Sequence, residues 1–210
     1  MMPPVSPLVE SVSPSISSPC SHSKRVTRRA LRAQRDALGS DERAAKSQKI
    51  AEAADALLAR IAEAGQVVAL YAAKGSEVDT TAIDAAARAR GLTVAYPRVI
   101  ADATPLEFHA AKLDELVPAG FGLREPPPGA PPVELRGIGV FFVPGLAFDR
   151  AGGRVGWGRG HYDATFAAAA PAARRVGLAF ELQLVDGVPC EAHDTPMHVI
   201  ITEITTYAVA

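Results

Sequence analysis

The segment Gly139-Val-Phe-Phe-Val-Pro-Gly-Leu-Ala-Phe-Asp149 leaves the chain few folds to choose from. It is an apolar run too short for a helix of its own and reads as a strand buried on both faces. The run turns at Pro144-Gly145 and leads into Arg154-Val-Gly-Trp-Gly-Arg-Gly-His-Tyr-Asp163. There Gly156, Gly158 and Gly160 alternate with larger residues, and Arg154 and Arg159 stand inside the loop. Backbone without Cβ can curl so that successive N–H groups point at one anion, and guanidinium forks suit phosphate oxygens. A helix beginning near His161 would add the field of its N-terminus. The pattern points to a polyphosphate site. Hairpins and β-bulges use the same glycine spacing, so the loop needs support from the rest of the chain.

That support comes in layers. Residues 66–71 and 92–99 read as strands joined by a helix over 80–90, capped near Asp79 and stopped by Gly91. Such a βαβ unit makes a parallel pair with a right-handed crossover. A first helix over 24–38, closed by Gly39, puts Lys24, Arg28, Arg32 and Arg35 on roughly one face. Ser40 offers an N-cap to a second helix whose Ile50, Ala54, Leu57, Leu58 and Ile61 face the core. Residues 106–110 alternate as a strand at a sheet edge would, 114–126 is loop-like, and 127–132 is a stiff, proline-rich linker. Residues 162–170 read as a helix, and 175–180 and 199–202 as two more strands. The expected fold is α/β: an open, mostly parallel Rossmann-like sheet flanked by helices, in a single domain over 24–210. Residues 1–23 are rich in serine and proline and read as a disordered extension or an over-called start, with organelle targeting the lesser alternative.

Composition removes several function classes. A net charge of −1 disfavours a general nucleic-acid binder. Two cysteines, Cys20 and Cys190, make neither a disulfide framework nor a metal site, which fits a reducing, cytoplasmic setting. No apolar run approaches the roughly 18 residues of a membrane span. The chain is expected to act as a monomer on small molecules, with no nucleic-acid or membrane partner. In open α/β sheets ligands gather beyond the carboxyl ends of the strands. Glu77, Arg98, the 154–163 loop and His193-Asp194 all follow expected strands and can meet at one rim.

Taken together, the motifs resemble those of the 5-formyltetrahydrofolate cyclo-ligase family. The resemblance rests on Val143-Pro-Gly-Leu-Ala-Phe-Asp149 with the 154–163 loop, on Lys24-Arg-Val-Thr-Arg28, and on Gly75-Ser-Glu77-Val-Asp-Thr80. Tyr96-Pro97-Arg98, Phe121-Gly-Leu-Arg-Glu125-Pro126 and Pro189-Cys-Glu-Ala-His193-Asp194 extend it over residues 24–203. Several motifs in order are more specific than any one. The resemblance implies ATP- and Mg²⁺-dependent conversion of 5-formyltetrahydrofolate to 5,10-methenyltetrahydrofolate, releasing ADP and phosphate. It implies nucleotide contacts from Lys24, Arg25, Val26, Thr27 and Arg28, and from Arg154, Val155, Gly156, Trp157, Gly158, Arg159, Gly160, His161 and Tyr162. Among these, Arg159 and Tyr162 would serve the chemistry. Ala72, Glu77, Phe121, Glu125 and Trp157 would line the folate site, and Asp163 and Asp194 would hold the metal. Without the resemblance, Asp163 reads as a carboxylate complementing a helix N-terminus and Asp194 as part of a turn before Thr195-Pro196. Thr27 and His161 depart from the family, which usually has leucine and an aromatic residue there. The alternative is a non-catalytic nucleotide- or RNA-binding paralogue on the same fold.

Overall fold

A computed structural model of the chain describes residues 19–101, 104–189, 191 and 194–209, with side chains from Arg28 onward. The extension expected over residues 1–23 falls outside this set as far as residue 18. Eight strands form the main sheet: β1 (Val67–Ala69), β2 (Thr93–Arg98), β3 (Glu107–Ala110), β4 (Pro132–Val133), β5 (Ile138–Pro144), β6 (Arg174–Leu178), β7 (Val199–Ile201) and β8 (Thr206–Ala208). Their spatial order is β8-β7-β6-β5-β1-β2-β3-β4. The run β7-β6-β5-β1-β2 is parallel throughout, and β8, β3 and β4 add antiparallel pairings at the two sides. Helices α1 (Pro19–Asp36), α2 (Ser40–Ile61), α3 (Thr81–Ala89) and α4 (His161–Ala168) complete the layers.

The central strand shows why the apolar run was decisive. Along β5, Val140 and Phe142 join a core with Ile50, Leu58 and Ile83 from α2 and α3. Phe141 and Val143 point the other way, into a second core with Phe166 of α4 and Phe148. Period-two alternation thus gives one strand two buried faces. Each fully buried side chain of this size contributes about 1.5–3 kcal/mol.

Several local expectations change. α1 begins at Pro19 and ends at Asp36, short of Leu38. Ser40 is the first helical residue of α2, not its cap; Gly39 holds the cap position in extended conformation, where glycine costs only a few tenths of a kcal/mol. Strand β3 is not an edge, because β4, formed at the end of the proline-rich stretch, pairs with it through Phe108 and Val133. Proline suits that position, since an edge strand can spare a ladder N–H. Within 114–126, Val117–Pro118 pairs with Arg124–Glu125 as a small hairpin. The cap position of α3 falls to Thr80, one residue beyond the expected Asp79, whose carboxylate accepts the Thr81 N–H at 2.8 Å in a turn leading into the helix.

Candidate functional site

Strand order reverses between β1 and β5, because the β1–β2 crossover through α3 runs one way and the β5–β6 crossover through α4 the other. A crevice opens beyond the carboxyl ends of strands at such a switch point. Here it is a cavity of about 810 Å³, with Tyr71 and Ala72 after β1, Pro97 in β2 and Pro144 ending β5 on its wall. Among the expected residues it gathers Arg28, Ala72, Glu77, Phe121, Glu125, the whole 154–163 loop and Asp194. The side chains of Lys24, Arg25, Val26 and Thr27 lie outside the described residues.

The glycine loop forms part of the wall. Gly158 and Gly160 have φ of +89° and +71°, a region L-residues rarely enter. Gly160 is the residue before the first turn of α4. Arg28, reaching from α1, donates from Nε to the Gly156 carbonyl at 2.8 Å. The Arg154 side chain is 8% exposed and sends Nη2 toward both oxygens of Asp163 at 3.3 and 3.4 Å. Its Nε–H has no protein acceptor among the described residues. An unsatisfied buried donor on a cavity wall is costly until an acceptor arrives, which suits an anionic ligand. Val155 is largely a packing residue, buried against Leu31 and Ala147.

Glu77 adjoins the glycine loop on the cavity wall. Its Oε2 accepts the Lys74 backbone N–H at 2.9 Å, and its Oε1 accepts the Trp157 indole N–H at 3.2 Å. Burial pushes the carboxyl above its ordinary range, opposed by the Lys74 N–H, the Arg35 charge and the Trp157 bond. Burial likewise drives the Tyr162 phenol upward against the pull of Arg154, so Tyr162 keeps its proton and can donate it in a hydrogen bond. Tyr71, raised for the same reason, gives its hydroxyl hydrogen to the Val78 carbonyl at 3.0 Å.

The mouth is rimmed by cations on aromatic faces. The Arg159 guanidinium lies 4.1 Å from the centre of the Phe121 ring, and Arg32 lies 5.4 Å from that of Trp157. Phe121 holds φ of +59°, the one non-glycine residue with positive φ among those described, and its carbonyl accepts from Lys74 Nζ. Such strain persists only where the surroundings impose it. Glu125 accepts the Val99 N–H at 3.1 Å and so anchors this loop to the end of β2. His161 Nδ1 sits 3.2 Å from the Thr104 carbonyl.

At the far side, Thr195 N–H donates to Asp163 Oδ1 at 3.3 Å, and Asp194 Oδ2 accepts the Glu191 N–H at 2.8 Å. Asp163, Asp194 and Glu191 therefore face one cavity from two segments. No three metal-ligating side chains cluster among the described residues. Two carboxylates with room for phosphate and water suit Mg²⁺, which seldom takes an all-protein cage. The residues present fit that ion.

Sequence reasoning did not single out Tyr71, Lys74, Leu106, Arg124 or Glu191, all of which line the cavity. Tyr71 was within reach, since it ends an expected strand at the ligand-binding rim. Arg124 and Glu191 stood inside quoted motifs without a role of their own, and Lys74 carried no signal, because its place depends on how two loops fold over one another. No helix among the described residues is long and apolar enough to cross a membrane.

The model of the 5-formyltetrahydrofolate cyclo-ligase family matches residues 20–203. A 5-formyltetrahydrofolate cyclo-ligase of Mycolicibacterium smegmatis is 37% identical over 157 residues, spanning 72% of this chain and 81% of that relative. The NMR structure of Aquifex aeolicus 5,10-methenyltetrahydrofolate synthetase superposes with a TM-score of 0.75 at 24% identity, covering 89% of this chain and 92% of that one. A 5,10-methenyltetrahydrofolate synthetase from Mycoplasma pneumoniae gives 0.71 at 22% identity, over 86% and 98%. At those identities the two structures speak to the fold, which they share.

Proposed function

Because the chain belongs to the 5-formyltetrahydrofolate cyclo-ligase family and is therefore a ligase, we propose that its cavity binds ATP at the glycine loop and a reduced folate at Glu77. There it closes 5-formyltetrahydrofolate to 5,10-methenyltetrahydrofolate. The observation that carries this reading is one shared cavity of about 810 Å³: the glycine loop with Arg28 and Arg154, and the Glu77 carboxylate, line the same space.

The chemistry needs such a meeting. A formyl oxygen on N5 is a poor leaving group. Its attack on the γ-phosphorus breaks the bond to the bridging oxygen, releases ADP and leaves the oxygen phosphorylated. N10 then attacks the same carbon, phosphate departs, and the N10 proton is lost as the ring closes. The protein's contribution is positioning and charge stabilisation. Arg154, with its unused Nε–H, and Arg28 would receive phosphate oxygens together with the loop N–H groups. Arg159, released from Phe121, would meet charge developing on the transferred group. The protonated Tyr162 would orient an oxygen by donation. Glu77 would accept the amino and amide hydrogens of the pterin edge, displacing the Trp157 N–H. Asp163 and Asp194 would hold Mg²⁺, which supplies charge neutralisation between the phosphates. The net charge and these carboxylates favour small-molecule catalysis over an RNA-binding role. We take the chain to work as a cytoplasmic monomer.

Incubation with Mg-ATP and 5-formyltetrahydrofolate should raise the near-ultraviolet absorbance of the methenyl product. A folded, ATP-binding protein that gives no such signal overturns the assignment.

A further inference from the structure

Helix α1 presents three arginines along one face, Arg28, Arg32 and Arg35, each about one turn from the next. Each reaches a different part of the site. Arg28 holds the Gly156 carbonyl, and Arg32 lies over Trp157. Arg35 is 2% exposed and donates from Nε to Ser76 Oγ at 2.9 Å and from Nη1 to the Gly145 carbonyl at 3.3 Å. The neighbouring Asp36 carboxylate accepts the Ser76 hydroxyl hydrogen. Ser76, which directly precedes Glu77, is thus gripped by two successive residues of the helix. Gly145 is fixed from the other side by Gln183, whose Nε2 donates to the same carbonyl at 2.8 Å.

A guanidinium this buried is expensive to keep, and both of its acceptors, a hydroxyl and a peptide carbonyl, are uncharged. The nearby charges of Glu77 and Asp36 favour it without bonding it directly among the described residues. What it achieves is geometric: one planar fork joins α1 to the Glu77 loop and to the turn that ends β5. Arg28 and Arg35 are two turns apart, about 10 Å along the axis, and a helix does not flex over that length. Besides the direct Trp157–Glu77 bond, α1 therefore gives the glycine loop and the Glu77 loop a second, rigid connection.

We propose that Arg35 is a positioning residue that fixes Glu77 relative to the glycine loop, so that α1 couples occupancy of one site in the cavity to the other. The proposal rests on the reading of the two sites given under Proposed function. A nucleotide that orders the glycine loop steadies α1 through Arg28, and through Arg35 it leaves less disorder to be removed when the folate docks on Glu77. Coupling of this kind is reciprocal. Lysine at position 35 keeps the charge but, as a point donor on a flexible stem, cannot span Ser76 and Gly145 together.

The test uses the full chain with Arg35→Lys and Ser76→Ala, and reads binding by the fluorescence of Trp157, the single tryptophan, whose indole touches Glu77. Titrations with 5-formyltetrahydrofolate are run with and without a non-hydrolysable Mg-ATP analogue. In the wild type the analogue should tighten folate binding about fivefold or more. In Arg35→Lys that gain should fall below about twofold and folate alone should bind about tenfold more weakly, while the analogue alone binds within about threefold of wild type. Ser76→Ala should move in the same direction by less, and it decides the matter on the same criteria if Arg35→Lys does not fold. Unchanged folate affinity and coupling in the variants, equal loss of both ligands, or a wild type that binds both without coupling would each overturn the proposal while leaving the pocket assignment intact. A wild type that binds neither ligand overturns the assignment and the proposal with it.

Discussion

Gly158→Ala is the sharpest probe of the glycine loop. At φ of +89° an alanine meets a backbone cost of about 1–2 kcal/mol. Its Cβ would also stand 3.1 Å from Cζ and Nη2 of Arg28. Arg28 is a side-chain end and can move, but doing so gives up its 2.8 Å bond to the Gly156 carbonyl, worth about 1 kcal/mol. The total is about 2–3 kcal/mol. Because the loop is half-exposed and lightly packed, it should relax locally rather than unfold the domain. The cost then falls on nucleotide binding, as an affinity about 30- to 150-fold weaker by calorimetry, with the melting temperature little changed. Gly75→Ala is the control: φ there is +62° and an added Cβ would meet nothing within 4 Å. It carries a backbone cost without the clash and lies in the Glu77 loop, so nucleotide affinity should hold. If Gly158→Ala binds nucleotide within about threefold of wild type, the curl of this loop does not serve the phosphates.

Three further outcomes follow from the same geometry. The folded-state carboxyl of Glu77 is raised, so its contribution to stability is fully present below the ordinary glutamate range and is lost as pH rises through the raised value. Glu77→Gln should therefore melt with the wild type in acid and above it near neutrality, while losing folate affinity; melts across pH that stay parallel would refute this. Asp163→Ala should chiefly weaken use of Mg-ATP, and Glu77→Ala chiefly folate binding, as seen in separate KM values; equal effects on both would contradict the division. Gly177→Ala would bring a Cβ to 2.5 Å from Cε1 of the buried Phe148 ring, costing about 1–3 kcal/mol of stability, and Phe148→Leu in the same chain should recover part of that loss in a denaturant melt.

How far the site could be foreseen depended on distance along the chain. The 154–163 loop announced itself because its glycines, arginines and following helix are neighbours in sequence. Glu77, Phe121 and Asp194 came from ordered motifs, and the sheet topology brings them to one cavity. The partnership of Trp157 with Glu77 lay beyond sequence reasoning, since the two are 80 residues apart and neither side chain marks the other. The basic face of α1 was visible from its spacing, but its use was not. Arg35, which the spacing sets on that basic face, is buried.

The amino-acid sequence by itself determined the layers: a doubly apolar strand, a βαβ unit and periodic helices admit little besides an open parallel sheet covered on both faces, because burial of those faces dominates the energetics. Only the tertiary structure decided which ends of which strands stand together, that the edge belongs to Pro132–Val133, and that one helix reaches both the glycine loop and the Glu77 loop. Local patterns fix local conformation through backbone sterics and burial period, whereas contacts between distant segments depend on the order and direction in which the whole sheet assembles.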